Sequence, residues 1–122
     1  MNMTNFEATK WGRSLPVVRD VSTQDGKVIT IAGVNYIDPK GLIPLHTHEG
    51  IKEEYIPQTD GLRIVVIPDN MVGMAEDELL EMLKRSEPIP VGEAVMCGNG
   101  FAHALYNDTD KEGACTFIKY QQ

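Results

Sequence analysis

Short runs of alternating apolar and polar residues occupy most of the chain and predict an all-β fold. The runs are rich in β-branched and aromatic residues, and clusters of Gly, Pro, Asn and Asp separate them, as in sandwiches and barrels. The predicted strands cover residues 27–36, 42–48, 53–58, 62–67, 91–97, 101–107 and 114–120. We therefore expect a single domain over residues 1–122, with an N-terminal arm or edge strands over 1–26 and a core barrel over about 27–120.

Three positions inside this pattern carry more specific predictions. Gly33 interrupts the alternation of its run and predicts a β-bulge. Asp60-Gly61 lies between two extended runs and predicts a hairpin turn. Pro57 lies within a run and restricts that strand to a sheet edge or a bulge, because proline cannot donate a ladder hydrogen bond.

One segment, residues 75–86, has the periodicity of an amphipathic helix. Its first turn is acidic and its last turn contains Lys84 and Arg85, which suits the helix dipole. Leu79, Leu80 and Leu83 form one apolar stripe. The helix could act as a lid over a pocket, but packing on the outside of a barrel or at a subunit contact is the commoner use of such a stripe.

Composition and net charge reduce the number of partner classes that fit this chain. Eleven basic against eighteen acidic residues give a net charge of −7, which disfavours a nucleic-acid partner. No apolar run approaches the roughly 18 residues that span a bilayer, and the N-terminus lacks an apolar signal core, so we expect a cytoplasmic protein with no membrane partner. Cys97 and Cys115 are too few for a disulfide framework and are expected to be packed thiols, although Cys97 could line a pocket.

The chain contains three histidines, and two of them share one predicted strand. His46 and His48 are two residues apart, so their imidazoles point to the same face and can chelate one ion. His103 lies on another predicted strand. Glu53 and Glu54 follow His48 at the start of the next strand. Each feature alone has an ordinary structural explanation, so the spacings between them decide the interpretation.

These spacings resemble the two motifs of the cupin superfamily. The first family motif is glycine, five residues, His-x-His, three or four residues, glutamate, six residues, glycine. The chain contains a version of it in which the first spacer is one residue short, formed by Gly41, His46, His48, Glu53 or Glu54, and Gly61.

The second family motif is glycine, five residues, proline, one residue, glycine, two residues, histidine, three residues, asparagine. The chain reproduces every spacing of this motif, with glycine in place of the proline, at Gly92, Gly98, Gly100, His103 and Asn107. All three histidines of the chain thus fall on histidine positions of the family pattern. The two motifs span residues 41–107.

The identity of the matching glutamate stays open between two neighbours. Counting forward from His48 selects Glu53, whereas counting back from Gly61 selects Glu54, so one residue has been added between His48 and Gly61. Loops tolerate insertions better than paired strands do, which places the added residue in 49–52 and favours Glu54. A bulge at Pro57 would instead select Glu53.

The resemblance implies a double-stranded β-helix, or jelly-roll barrel, that is often dimeric and holds one divalent metal ion in the barrel mouth. The implied ligands are His46, His48, His103 and Glu54, with Glu53 as the alternative. Such a ligand set suits manganese, iron, nickel, zinc or copper.

The residues near the predicted site suggest further roles. The glutamate that is not a ligand, Glu53 in the favoured assignment, and Tyr55 are candidates for a general acid or base. Arg63 could hold an anionic substrate group. Tyr106 is one residue out of phase with His103 and is expected to point away. Trp11 is expected in the core or in an N-terminal arm packed on a neighbouring subunit.

Two functions fit the resemblance, because one fold hosts many activities. The first is a small metalloenzyme of the isomerase, lyase or dioxygenase class, acting on an oxygen-rich small molecule such as a sugar derivative or a hydroxy or keto acid. The alternative is a non-catalytic binding or sensing barrel with a structural metal. A small-molecule partner and a homodimer are expected in either case.

Overall fold

The computed structural model describes residues 6–121 and consists of β-strands with one α-helix and one short 3-10 turn. The elements in chain order are β1 (Glu7–Ala8), β2 (Gly12–Ser22), β3 (Val28–Ile37), β4 (Leu42–His46), β5 (Ile51–Pro57), β6 (Leu62–Pro68), the 3-10 turn (Asp69–Met71), α1 (Glu76–Arg85), β7 (Val95–Cys97), β8 (Phe101–Asn107) and β9 (Gly113–Gln121).

The strands form two antiparallel sheets. The larger sheet has the order β1-β2-β3-β9-β5-β7, and the smaller has the order β4-β8-β6. Most neighbours in these sheets are distant in the sequence, as in a jelly roll. The predicted all-β fold with one short helix is confirmed, and most predicted strand ends lie within two residues of the observed ones.

The main apolar core is built from residues of both sheets. Ile37, Ile43, Leu105 and Phe117 belong to one buried cluster that also contains Tyr55, Leu62, Ile64, Cys97 and Cys115. The alternation seen in the sequence is the alternation of burial. On β5, for example, every second residue from Glu53 to Pro57 is buried, and the residues between them are not. The buried face of β5 therefore holds the ionisable side chain of Glu53 as well as side chains that pack in the core.

The helix packs on the outside of the smaller sheet. Its buried residues Leu79 and Leu83 contact a second cluster that includes Val65, Ala104 and Tyr106. Within residues 6–121, no helix has the length and apolarity needed to cross a bilayer. The interpretation of α1 as a packed helix, rather than a lid, is therefore the one that the fold supports.

The predicted hairpin at Asp60-Gly61 is wrong. β5 pairs with β7 and β9, whereas β6 pairs with β8, so the turn carries the chain from one sheet to the other. The prediction for Pro57 also fails, because β5 lies inside the larger sheet and pairs with β9 without a register shift. Pro57 is tolerated because it is the last residue of the strand, beyond the last pair with β7.

The bulge predicted at Gly33 lies on the neighbouring strand. The β2–β3 register shifts between Pro16 and Val18, so the extra residue is Val17 on β2. Gly33 itself keeps a regular pairing, but a Cβ atom there would lie 2.1 Å from the carbonyl oxygen of Leu15. Glycine is therefore needed for the close approach of β2 and not for a bulge of its own strand.

A single buried side chain connects the loops at one end of the two sheets. The amide nitrogen of Asn107 donates to the carbonyl oxygens of Ile37 and Asp38, each at 3.1 Å, and to that of Lys111 at 2.7 Å. Its amide oxygen accepts a hydrogen bond from Thr109 Oγ1 at 2.7 Å. Asn107, the last residue of the second motif, therefore has a structural role at the end of β8.

Candidate metal centre

The strand pairing of the smaller sheet brings the three histidines together. His46 is the last residue of β4 and lies directly opposite His103 on β8, with their ring centroids 4.2 Å apart. His48 lies two residues beyond the end of β4, and its ring is 4.9 Å from that of His46 and 5.4 Å from that of His103. The predicted approach of His46 and His48 is thus observed, although only His46 lies within the strand.

Glu53 completes the cluster from the larger sheet. Its Oε1 atom is 2.8 Å from His103 Nε2 and 3.2 Å from His48 Nε2, and only 2% of the residue is exposed. One ligand atom from each of His46, His48, Glu53 and His103 lies within 4.8 Å of all the others. Residues of both motifs therefore meet at one point between the sheets.

The preference for Glu54 over Glu53 is corrected by the structure. Glu54 points to the opposite face of β5, where its carboxylate accepts a hydrogen bond from the Tyr120 hydroxyl at 3.2 Å. The β5–β9 register runs without a shift from Ile51 to Pro57, so the added residue cannot lie within the strand. It lies after Pro57, in the turn that ends at Gly61, and the forward count from His48 is the valid one.

The imidazole nitrogens have the arrangement that a metal ion would need. His46 Nδ1 donates to the carbonyl oxygen of Pro44 at 2.7 Å, so its Nε2 carries the free lone pair. His48 Nε2 is buried with Glu53 Oε1 as its polar neighbour at 3.2 Å, and His103 Nδ1 is buried with no hydrogen-bond partner among residues 6–121. Buried polar atoms are rarely left unpaired, and an ion beside Glu53 would satisfy His48 Nε2. The residues present therefore fit a metal.

At neutral pH, the electrostatic environment keeps Glu53 and His46 in the protonation states that bind a metal ion. Burial raises the pKa of Glu53, but hydrogen bonds from His103 and His48 and the charge of Lys119 outweigh it and bring this pKa to about 2. Burial lowers the pKa of His46 to about 4, more than the carbonyl of Pro44 raises it. Glu53 is thus an anion and His46 is neutral, which are the states that bind metals.

The metal-free chain is expected to lose stability as the pH falls from 7 to 4. His46 has a pKa of about 4 when folded and 6.5 when unfolded, so the unfolded chain binds more protons in this window. The protonation of His46 lowers the free energy of unfolding by about 3 kcal/mol at pH 4. Protonation of Glu53 lowers it further below about pH 4.5. Urea unfolding of the chelator-treated protein at several pH values measures this loss. The free energy of unfolding of His46→Gln should depend less steeply on pH. Equal slopes in both proteins would contradict the prediction.

A cavity of about 360 Å³ opens next to the histidine cluster. His46, Glu53 and Tyr55 all line it. Ile43 and Phe117 contribute apolar surface. The remaining walls come from the loop between β1 and β2 and from β2, β3 and β9, through residues that include Thr9, Trp11, Ser14, Asn35 and Lys119. The site thus has a partly polar chamber of a size that suits a small ligand.

The other predicted site residues have different outcomes. Tyr55 lines the cavity, as a catalytic candidate should. Arg63 does not: its Nε donates to Asp108 Oδ2 at 3.0 Å and its guanidinium contacts the Ser86 carbonyl at the end of α1. It lies on the face of β6 that α1 covers and is occupied by protein partners, so the structure gives no support to a substrate-holding role in this cavity. Tyr106 packs under α1 as expected, and Cys97 is buried in the core without lining the cavity.

Three residues that line the cavity were not predicted from the sequence. Trp11 packs against the core cluster, as expected, but it also forms part of the cavity wall. Lys119 and Asn35 carried a signal, because each is in phase with buried neighbours along its strand, Phe117 and Ile37 respectively. A polar residue at an inward-facing position is unusual and could have marked the site.

Comparisons with known proteins support the fold but no closer relationship. No protein-family profile and no curated protein sequence matches the chain significantly. Among solved structures, a predicted oxalate decarboxylase from Thermotoga maritima matches with a TM-score of 0.65 and 12% identity, over 98% of this chain and 95% of that one. At this identity the likeness concerns the fold alone.

Two further structures share the architecture. The Cnp3 cupin domain of Schizosaccharomyces pombe matches with a TM-score of 0.65 and 7% identity, over 98% of this chain and 70% of that one. The capsular polysaccharide assembling protein CapF of Staphylococcus aureus matches with a TM-score of 0.68 and 13% identity, over 100% of this chain and 30% of that one. Together with the two antiparallel sheets and the spacing of the two histidine-containing motifs, these matches identify the architecture. The chain therefore has the cupin fold.

Proposed function

We propose that the chain is a metal-dependent enzyme of the isomerase, lyase or dioxygenase class that converts a small oxygen-rich molecule in the cavity. The observation that carries this proposal is the convergence of His46, His48, Glu53 and His103 at one point, where His46 and Glu53 also line a cavity. A purely structural metal site would be closed over by protein, whereas this cluster borders open space.

Three imidazoles and one carboxylate would hold one divalent ion of manganese, iron, nickel, zinc or copper. The ion supplies Lewis acidity to an oxygen-containing substrate. The chain's contribution is to keep Glu53 ionised and His46 neutral, and to set the ring orientation of His46 through the Pro44 carbonyl.

Tyr55 is the cavity residue best suited to donate a hydrogen bond. Burial and the nearby charge of Glu53 raise its pKa well above 10, so the phenol stays protonated at neutral pH. It can therefore orient an oxygen atom of a bound molecule, but it cannot serve as a general base near pH 7. The general-acid role expected from the sequence stays a prediction.

A second candidate function is a non-catalytic barrel that binds a small molecule next to the metal. The observation that favours it is that residues 6–121 place no free carboxylate in the cavity: besides Glu53, the lining carboxylate is Glu7, which is exposed and ion-paired with Arg19 at 3.4 Å. The solved structures with this fold include both a predicted oxalate decarboxylase and the Cnp3 cupin domain. Both functions require the same metal site.

Metal analysis combined with a conversion assay tests the proposal. The purified chain, stripped with a chelator and reloaded with each candidate ion, is expected to bind about one equivalent, and His48→Ala is expected to bind almost none. Hydroxy acids, keto acids and sugar derivatives are then followed by NMR. Conversion only by loaded wild-type protein supports the enzyme. Metal binding without any conversion favours the binding barrel, and no metal in the wild type contradicts both.

Other expectations from the sequence stay predictions. They are the homodimer, the small-molecule partner and the cytoplasmic location. Size-exclusion chromatography with light scattering would measure the oligomeric state directly.

A further inference from the structure

An unpaired ammonium group faces the cavity beside the candidate metal ligands. Lys119 on β9 lies directly across from Glu53 on β5, and both side chains line the cavity. Lys119 forms no salt bridge with any carboxylate of residues 6–121. Its Nζ atom is 5.8 Å from the centroid of the Phe117 ring, a further contact that suits a cation. The charge of Lys119 is therefore available to a ligand.

A buried amide in the same cavity also lacks a protein partner. Asn35 is 7% exposed, lies on β3 and lines the cavity. Among residues 6–121, no group hydrogen-bonds with its side chain, in contrast to Asn107, which contacts three carbonyls and a hydroxyl. The amide atoms of Asn35 are not among the fully buried unpaired atoms of residues 6–121, so they border the open cavity and are free to hydrogen-bond with a polar ligand there.

The other charges around the cavity do not neutralise Lys119. The carboxylate of Glu7 is at the exposed rim and is ion-paired with Arg19 at 3.4 Å. The carboxylate of Glu53 is directed to His48 and His103, at 3.2 and 2.8 Å. Neither carboxylate therefore forms a salt bridge with Lys119, although the charge of Glu53 lies in the same cavity wall.

We propose that the cavity takes a small carboxylate-bearing molecule, with Lys119 pairing with the carboxylate and Asn35 hydrogen-bonding to it. This inference rests on the proposed function and narrows its substrates to hydroxy acids, keto acids or dicarboxylates, in preference to neutral sugars. A cavity of about 360 Å³ accommodates a molecule of a few carbon atoms. Lys119 is thus a substrate-positioning residue whose contribution is separate from metal binding.

Malonate and its neutral isostere malonamide provide a matched pair of probes. Trp11 is the only tryptophan of the chain and lines the cavity, so its fluorescence reports on binding, with calorimetry as a second readout. In the metal-free full-length protein, malonate is expected to bind at least about tenfold more tightly than malonamide, the usual effect of a charge-assisted hydrogen bond.

Two lysine variants separate the site from general charge effects. Lys119→Gln should weaken malonate binding at least about tenfold and leave malonamide unchanged, while Lys119→Arg should retain the preference for malonate. The control is Lys52→Gln, because Lys52 is exposed on the opposite face of β5 and its loss should have no effect. Thermal unfolding of each variant establishes that it is folded.

The outcomes distinguish this inference from the proposed function. Equal binding of malonate and malonamide, or unchanged malonate binding by Lys119→Gln, overturns the carboxylate proposal. A separate zinc titration of the same proteins tests the metal site. If zinc binds and malonate is not preferred, the substrate class alone is wrong. If malonate depends on Lys119 but zinc does not bind, the anion site stands and the metalloenzyme is wrong.

Discussion

Replacing Glu53 with glutamine is expected to lower the metal affinity of the chain at least about 100-fold, whereas the same change at the adjacent Glu54 should leave it unaltered. Glu53 contributes the only carboxylate of the four-residue cluster, and its oxygen lies within 3.2 Å of two histidine nitrogens. Glutamine keeps the shape but removes the negative charge that offsets the charge of the ion in a buried position.

The pair Glu53→Gln and Glu54→Gln is well matched because the two residues are adjacent on one strand. Glu54 lies on the outer face and contacts the Tyr120 hydroxyl at 3.2 Å, so its amide variant tests the loss of charge without touching the cluster. Competition titration of zinc against a chromophoric chelator measures both affinities. A loss of metal in Glu54→Gln, or its retention in Glu53→Gln, would show that the cluster is not the metal site.

Asn107→Leu is expected to lower the free energy of unfolding by about 3 kcal/mol. The change keeps the number and branching of the side-chain heavy atoms but leaves the carbonyl oxygens of Ile37, Asp38 and Lys111 without the amide donor, at a position that is 0% exposed. Losses of this kind are a large part of the 5–15 kcal/mol that stabilises a typical domain.

The control for Asn107→Leu is Asn35→Leu, which replaces another buried asparagine on a strand. Asn35 makes no side-chain hydrogen bond among residues 6–121, so its replacement should change the free energy of unfolding by less than about 1 kcal/mol. Urea unfolding at pH 7 measures both variants. Similar losses in the two proteins would mean that the hydrogen bonds of Asn107 do not hold the loops together.

The sequence was sufficient for those features that depend on local periodicity and on fixed spacing. Alternation along the strands predicted which face of each strand is buried, and the leucine stripe predicted α1 within one residue at each end. The spacing of His46, His48 and His103 predicted their convergence, because two motifs that belong to one fold bring their histidines to the same place.

Features that depend on which strands pair with each other could be determined only from the tertiary structure. Whether Glu53 or Glu54 faces inward depends on where one added residue lies, and the unbroken β5–β9 register settles this by placing it after Pro57. Asp60-Gly61 has the composition of a hairpin turn, yet the adjoining strands belong to different sheets. Turn composition specifies a reversal of the chain but not which strands pair.

The sequence alone therefore determined the all-β fold, the short helix and the three histidines of the site. Only the tertiary structure decided the fourth member of the cluster, the outward position of Arg63, and the cavity walls formed by Trp11, Asn35 and Lys119. The physical reason is that burial patterns are encoded locally, one strand at a time. A cavity is formed by side chains from strands far apart in the sequence. Which residues line it depends on how those strands are ordered in the sheets.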